Sequence, residues 1–397
     1  MKKPSVLIIF LTVFIDLVGF GIIIPILPLY ATQHGATPFQ LGALLASYSV
    51  MQFVFAPILG SLSDRVGRKP VLAASLLGTS VASVALGVAS SLPGALWLLF
   101  VARLLDGVTG ANIATAQAYI ADVTTPEKRA RGMGLIGMAF GLGFVLGPAI
   151  GGLLAQVHIA LPFYAVGALA FLNAVLMLAF LPEPERRLSV AVEARSRFAR
   201  LSVALRDPNT SLLLVVFLLV TTAFAIMEST LALLLRDRFA YGPSEVAYVF
   251  AFVGLVMAIV QGGLVGRLAE RVGERPLILL GAGLLAVALC LLAAPLPASP
   301  GLLLGAVGIL ATGVALHNPS VTGLVSRLAP ASAQGTTLGV TQSMGSLGRI
   351  AGPLLGGALY GAGWSAPYYF GAAVMAIAAL LAAYYNATVA PPIAARS

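Results

Sequence analysis

Two stretches decide the fold of this chain: GSLSDRVGRKP at residues 60–70 and GRLAERVGERP at residues 266–276. They align without gaps at an offset of 206 residues, sharing the leading Gly, the acid-Arg-Val-Gly core and the closing Pro. A second word recurs 205 residues on: Gly143-xxx-Gly147-Pro148-xx-Gly151-Gly152 and Gly348-xxx-Gly352-Pro353-xx-Gly356-Gly357. Two unrelated words in the same order at nearly the same offset mark an internal duplication.

Apolar runs long enough to cross a bilayer flank both words. A spanning helix needs about 20 apolar residues. Twelve runs qualify: 5–30, 39–62, 70–91, 95–121, 131–156, 162–181, 209–235, 244–267, 276–294, 301–327, 333–360 and 365–388. The link 182–208 is long and rich in Arg and Glu, and it divides the runs six and six. The expected architecture is therefore an all-α membrane protein of twelve transmembrane helices, with six-helix halves at 1–181 and 209–397 and a cytoplasmic linker at 182–208. The halves share one orientation and are related by a pseudo-two-fold axis along the membrane normal.

Composition agrees. Of 397 residues, 59% are hydrophobic and 9% are charged, against about 25% charged in soluble chains. That excludes a soluble enzyme and a disordered chain. The net charge of +9 does not mark a nucleic-acid binder, because the basic residues lie in short segments between apolar runs. With the N-terminus inside, Lys2, Lys3, Arg65, Arg68, Lys69, Lys128, Arg129, Arg131, the six linker arginines, Arg267, Arg271, Arg275, Arg327 and Arg396 are all cytoplasmic, and Arg236 and Arg238 alone fall outside. This bias predicts a multi-pass protein of the cytoplasmic (inner) membrane with both termini inside. The apolar stretch behind Lys2 and Lys3 is too long for a signal peptide and reads as a retained first helix. A lone cysteine, Cys290, in an apolar run excludes a disulfide framework, and the three histidines, His34, His158 and His317, share no metal spacing. There is no P-loop, and the Gly-x-Gly patterns at 141–143 and 281–283 lie inside spans, so neither a nucleotide nor another cofactor is expected.

On these residues the chain resembles the major facilitator superfamily along its length. The word at 60–70 is similar to that superfamily's cytoplasmic motif, and Gly143, Gly147, Pro148, Gly151 and Gly152 to the antiporter motif of its drug–proton exporters. FGIIIPILPLY at 20–30 and AYIADVTTPEKRARGMG at 118–134 look like twelve-helix exporters of tetracycline and other drugs. The resemblance implies the major facilitator fold, transport by alternating access, and gating by the 60–70 word.

Physically, glycines in a bilayer helix let neighbouring backbones approach, and Pro148 frees a carbonyl and permits a bend. A close-packed helix explains the glycines alone; the repeated word favours the antiporter reading, in which this span packs between the halves and flexes. Gly60 and Gly67 are read as sharp-turn residues. Asp64 can face a positive helix N-terminus, and Arg65 or Arg68 can pair with Asp122. The alternative for these cations is a simple inside anchor. The second copy has Glu270 and Arg271 but no acid near Leu328 to match Asp122, so a weaker lock is expected there.

Five charged residues lie well inside spans: Asp16, Asp106, Glu228, Arg103 and Arg349. An ionised group at the bilayer centre costs roughly 2.5–3.5 kcal/mol on the lenient scale, so each needs a partner, a wet cavity or a proton. Asp16 and Asp106 lie near mid-membrane. Arg103 and Asp106, three apart, share a face that Gly110 and Gln117 continue and Asn112 leaves. Arg103 is expected to be shared between Asp106 and Asp16; Asp106 is either a permanent partner of Arg103 or a proton carrier. The family usually has a polar uncharged residue in its place. Glu228 and Arg349 fall at similar depth and could pair if their helices touch; an acid solvated at the outer interface is the other reading of Glu228. Asp16 and Glu228 are the leading proton carriers.

Phe20, Tyr48 and Phe224, with Gln52, Gln117, Gln261, Asn318 and Gln342, are candidate substrate contacts, although most apolar residues at helical spacing are ordinary packing. The expected function is proton-coupled export of lipophilic, cationic drugs by a monomeric, non-enzymatic carrier whose partners are bilayer, protons and a small lipophilic substrate. A proton-coupled carrier of a defined metabolite such as a sugar is the alternative. A tetracycline-specific exporter is disfavoured because 70–91 and 276–294 hold no acid.

Overall fold

The computed structural model describes residues 6–92, 94–124, 126–183, 207–295, 297–328 and 334–389. Among them there is no strand. The helices are α1 (Val6–Gln33), α2 (Pro38–Val66), α3 (Arg68–Val88), α4 (Leu96–Thr109), α5 (Ile113–Val123), α6 (Pro126–Val157), α7 (Leu161–Phe180), α8 (Pro208–Phe239), α9 (Pro243–Ile259), α10 (Val265–Val272), α11 (Glu274–Ala293), α12 (Pro300–Leu328), α13 (Gln334–Ala362) and α14 (Ala366–Thr388). A 3₁₀ turn, Gly110–Asn112, joins α4 to α5, and a π turn, Val260–Leu264, joins α9 to α10. With those pairs counted as single rods, the helices follow the twelve expected spans.

Among the described residues, ten rods are long and apolar enough to cross a membrane. In α6 the run from Gly132 to Val157 carries no charged residue, and its described part includes the apolar stretch Gly141–Val157. α13 is rich in Gly, Ser and Thr, as suits a helix packed on other helices rather than lipid.

Local chemistry sets the helix starts. Thr37 caps α2 in a reciprocal box with Gln40, ahead of Pro38. Asp207 caps α8, accepting from the Thr210 hydroxyl at 2.5 Å and the Thr210 N–H at 2.9 Å.

The 60–70 word corrects its own reading. α2 stays helical through Gly60 to Val66, and α3 begins at Arg68, so the turn is Gly67 alone, at φ +114°. A side chain there would be strained. Gly60 is a helix residue with open space around it, not a turn residue. The second copy repeats this: Gly273, at φ +81°, is the one residue between α10 and α11.

The described residues cluster into two compact units. The first takes those within Met1–Val192, Glu228–Leu255 and Pro353–Ala362; the second takes those within Glu193–Met227, Val256–Gly352 and Gly363–Ser397. In the first, α1 packs on α6 and α7, and α3 on α4 and α7. Ile9, Val13, Leu17, Leu76, Tyr119 and Met177 form part of its buried core. In the second, α11 packs on α12 and α14.

The antiporter word lies mostly inside the first unit's own packing. A Cβ on Gly143 would meet Leu17, one on Gly147 would meet Gly21, and one on Gly151 would meet Ile22, so these glycines let α6 lie against α1. Gly152 instead faces Ala247 of α9. In the same unit, Gly42 of α2 and Gly357 of α13 cross so closely that a Cβ on either would overlap a backbone carbonyl, Pro353 or Pro38 respectively. Pro148 is buried within α6.

Candidate functional site

Arg68 organises the word at 60–70. Its Nε donates to Asp122 at 3.0 Å, and its Nη1 lies 2.6 Å from both Asp64 and the Ser63 hydroxyl. Ser63 donates in turn to the Gly60 carbonyl at 2.7 Å. Of the two arginines considered for Asp122, Arg68 pairs with it; Arg65 is exposed. The expected acid at a helix N-terminus is present, but it is Glu183 rather than Asp64. Its two carboxylate oxygens accept from the N–H groups of Arg68 at 2.6 Å and Lys69 at 2.9 Å, the open end of α3. No local signal marked Glu183, which lies 115 residues from its partner.

In the second copy no acid stands near Leu328, as expected, but an ion pair forms with its polarity reversed. Glu274, at the position of Arg68, pairs with Arg327, at the position of Asp122. The ion pair is present with its charges exchanged. Glu270 and Arg271 beside it are exposed. Arg275 donates to the Val389 carbonyl at 2.5 Å and lies 5.0 Å from the Tyr385 ring.

Arg236, one of the two arginines outside the inside-positive pattern, is also engaged. It donates to Asp237 at 2.7 Å and to the Thr32 hydroxyl at 2.9 Å, and Tyr360 donates to Asp237 at 2.8 Å.

Deep in the first unit, Arg103 and Asp106 form an ion pair at 2.8 Å, with side chains 5% and 8% exposed. The guanidinium sits 4.4 Å from the Tyr48 ring centroid, a cation–π contact. Its buried Nε makes no hydrogen bond. The Phe20 ring lies tilted beside Tyr48, centroids 5.6 Å apart, and Gln52 donates to the Tyr48 hydroxyl at 3.4 Å and the Gly110 carbonyl at 3.1 Å. Asp16 is not shared with Arg103. It is half-buried and accepts from the Asn112 amide at 3.2 Å. Asn112 reaches it because the helix breaks at Gly110–Asn112, where Ala111 has ψ +16°. The periodicity placed Asn112 off the Arg103–Asp106 face, and its partner is Asp16, which does not bond Arg103.

Asp16, Phe20, Gln52, Asp106, Arg103 and Tyr48 are thus brought together, and Gln117 lies half-buried further along α5. Glu228 is half-buried in the first unit. In the second unit, Arg349 is half-buried and donates to the Ser346 hydroxyl at 3.3 Å. Phe224 is half-buried there, and Gln261 and Gln342 are exposed. Asn318 is half-buried, its buried Oδ1 accepting no hydrogen bond. The sequence reading left His317 unassigned; it is fully buried, with Nδ1 3.3 Å from the Ile278 carbonyl and Nε2 without a partner.

Comparison with known proteins fits this architecture. The family model for the Major Facilitator Superfamily matches residues 9–353 and, in a second match, 262–396. The chain belongs to the Major Facilitator Superfamily and is a multi-pass membrane transporter, not an enzyme. It is 34% identical to the class C tetracycline resistance protein of Escherichia coli, over 91% of each chain. It is 31% identical to multidrug resistance protein 1 of Bacillus subtilis (strain 168), over 97% of each. Among solved structures it is similar to the human organic anion transporter MFSD10 (TETRAN), at 27% identity and TM-score 0.70, covering 95% of this chain and 98% of that one. A bacterial homologue of the human lysosomal transporter Spinster shares the fold, with TM-score 0.79 at 18% identity over 97% and 96% of the two chains.

Proposed function

We propose that this protein is a proton-coupled exporter of lipophilic cationic drugs, acting as a monomer in the cytoplasmic membrane with both termini inside. Relatives that are tetracycline and multidrug resistance proteins support drug efflux. The observation that carries the coupled mechanism is Asp16: a half-buried carboxylate in the middle of an apolar helix, held by an amide rather than a cation. Such a carboxylate takes up a proton readily or receives a cation, so the two compete for one place. The neighbouring Arg103 and Asp106 pair with each other. Glu228 is the second carrier in this reading. Tetracycline belongs among the test substrates because of the relatives, although α3 holds no acid and the acid of α11 is its first residue.

The test uses the full chain in vesicles loaded with a pH dye. Drug addition should move protons in the unaltered protein, and Asp16→Asn or Glu228→Gln should abolish that movement. Drug transport without proton movement, or coupling intact in both variants, would overturn the mechanism; saturable sugar uptake would favour a metabolite carrier.

A further inference from the structure

The charged groups of the first unit's site stand in two layers. Asp16, Phe20 and Gln52 are half-buried and form the accessible layer. Arg103 and Asp106, at 4% and 5% residue exposure, lie in a buried layer with Tyr48 and Asn112. Asp106 is therefore placed to act on a bound molecule through its charge, not by touching it.

Charge in this layer is sparse. Along the middle of α1 to α7 the ionisable acids and bases are Asp16, Arg103 and Asp106. Asp64, Arg65, Arg68, Lys69 and Asp122 lie at helix ends, and the Glu, Lys and Arg residues of α6 fall in its first turns. Arg103 is held by Asp106 on one side and the Tyr48 ring on the other, and its Nε has no further bond. Its charge is thus cancelled by one carboxylate, and within α1 to α7 Asp16 remains as the net charge, with Glu228 of α8 a further carboxylate of the same unit.

We propose that Asp106 determines the sign of substrate this site accepts: by cancelling Arg103 it leaves the site with one net negative charge and makes it select lipophilic cations. This deepens the cation-export reading and rests on it. Removing the Asp106 charge leaves Arg103 opposing Asp16, which removes the preference for cations. Removing both carboxylates leaves Arg103 alone, which reverses the preference. Removing Arg103 together with Asp106 restores the original balance.

Tetraphenylphosphonium and tetraphenylborate have nearly the same shape and opposite charge, so they report sign alone. Their binding is measured by equilibrium dialysis against the full chain in lipid nanodiscs, with empty nanodiscs subtracted. Asp106→Asn should weaken tetraphenylphosphonium about tenfold or more, the scale of one nearby charge in a partly wet interior. Arg103→Gln with Asp106→Asn should recover to within about threefold of the unaltered protein. Asp16→Asn with Asp106→Asn should bind tetraphenylborate in preference.

A buried unpaired Arg103 could unfold Asp106→Asn; the Arg103→Gln, Asp106→Asn variant has no orphaned charge and then decides the matter. If it fails to bind the cation while folded, Asp106 acts by direct contact or as a proton carrier and the proposal is wrong. Binding that Asp106→Asn leaves unchanged also overturns it, while leaving the export reading intact. No tetraphenylphosphonium binding by the unaltered protein would overturn the cation-export reading itself.

Discussion

The exchanged ion pairs of the two repeats make a quantitative prediction about where stability resides. Arg68 is 14% exposed and donates to Asp122, which is 25% exposed, to Asp64, which is 62% exposed, and to Ser63. An exposed pair contributes about 0.2–1 kcal/mol, and a better shielded hydrogen bond to a charged group about 1.5–3 kcal/mol. Arg68→Ala should therefore cost about 2 kcal/mol, mostly through Asp122. Glu274 is 15% exposed but Arg327 is 56% exposed, so Arg327→Ala should cost about 0.5–1 kcal/mol. At about 2 °C per kcal/mol, the apparent melting midpoints in nanodiscs should fall by about 4 °C and about 1–2 °C. Double-mutant cycles should give coupling above about 1 kcal/mol for Arg68 with Asp122, and about half that for Glu274 with Arg327. Exchanging Arg327→Glu with Glu274→Arg should restore most of the midpoint, because geometry and total charge are kept. Equal losses at Arg68 and Arg327, or strictly additive effects of Arg68→Ala and Asp122→Ala, would refute the reasoning that burial of the arginine makes the first pair the stronger.

Gly42→Ala places a methyl against the Pro353 carbonyl, whereas Gly60→Ala enters open space; the first should lower the melting midpoint by about 2–6 °C, as overpacking of about 1–3 kcal/mol implies, and the second should leave it unchanged. At Asp207, partial burial raises the carboxyl's pKa, but the hydrogen bonds from Thr210 and Asn209 outweigh it and hold the pKa below the usual range. The cap's contribution is therefore complete above about pH 4 and is lost as the pH falls through the lower folded value; Asp207→Ala should lower the midpoint at neutral pH, and its difference from the unaltered protein should shrink under acid titration.

How much of this was legible in the sequence follows from the range of each interaction. The spans were readable because apolar content and repeated words are local quantities. The pairing of Arg68 with Asp122 was readable because both lay at the inner ends of spans, one in a strong motif. Glu183 was not, since it meets α3 from 115 residues away and its own surroundings, PEPE, resemble any charged linker. The bond from Asn112 to Asp16 was not legible for a different reason: it joins residues 96 apart at a 3₁₀ turn, Gly110–Asn112, that helical periodicity does not register.

The pair Glu274–Arg327 shows what a duplicated chain holds in common. Searching the second half for an acid in place of Asp122 found none, because residue identity was taken as the repeated quantity. The repeat instead keeps a contact between two helix ends and its electrical neutrality, and either polarity satisfies both. The same reasoning applies inside the membrane, where Asp106 and Arg103 cancel each other. A charge there has meaning only with its partner counted, and in the proposed mechanism Asp16 is a site by what the neighbouring pair leaves unbalanced rather than by being an acid in an apolar helix.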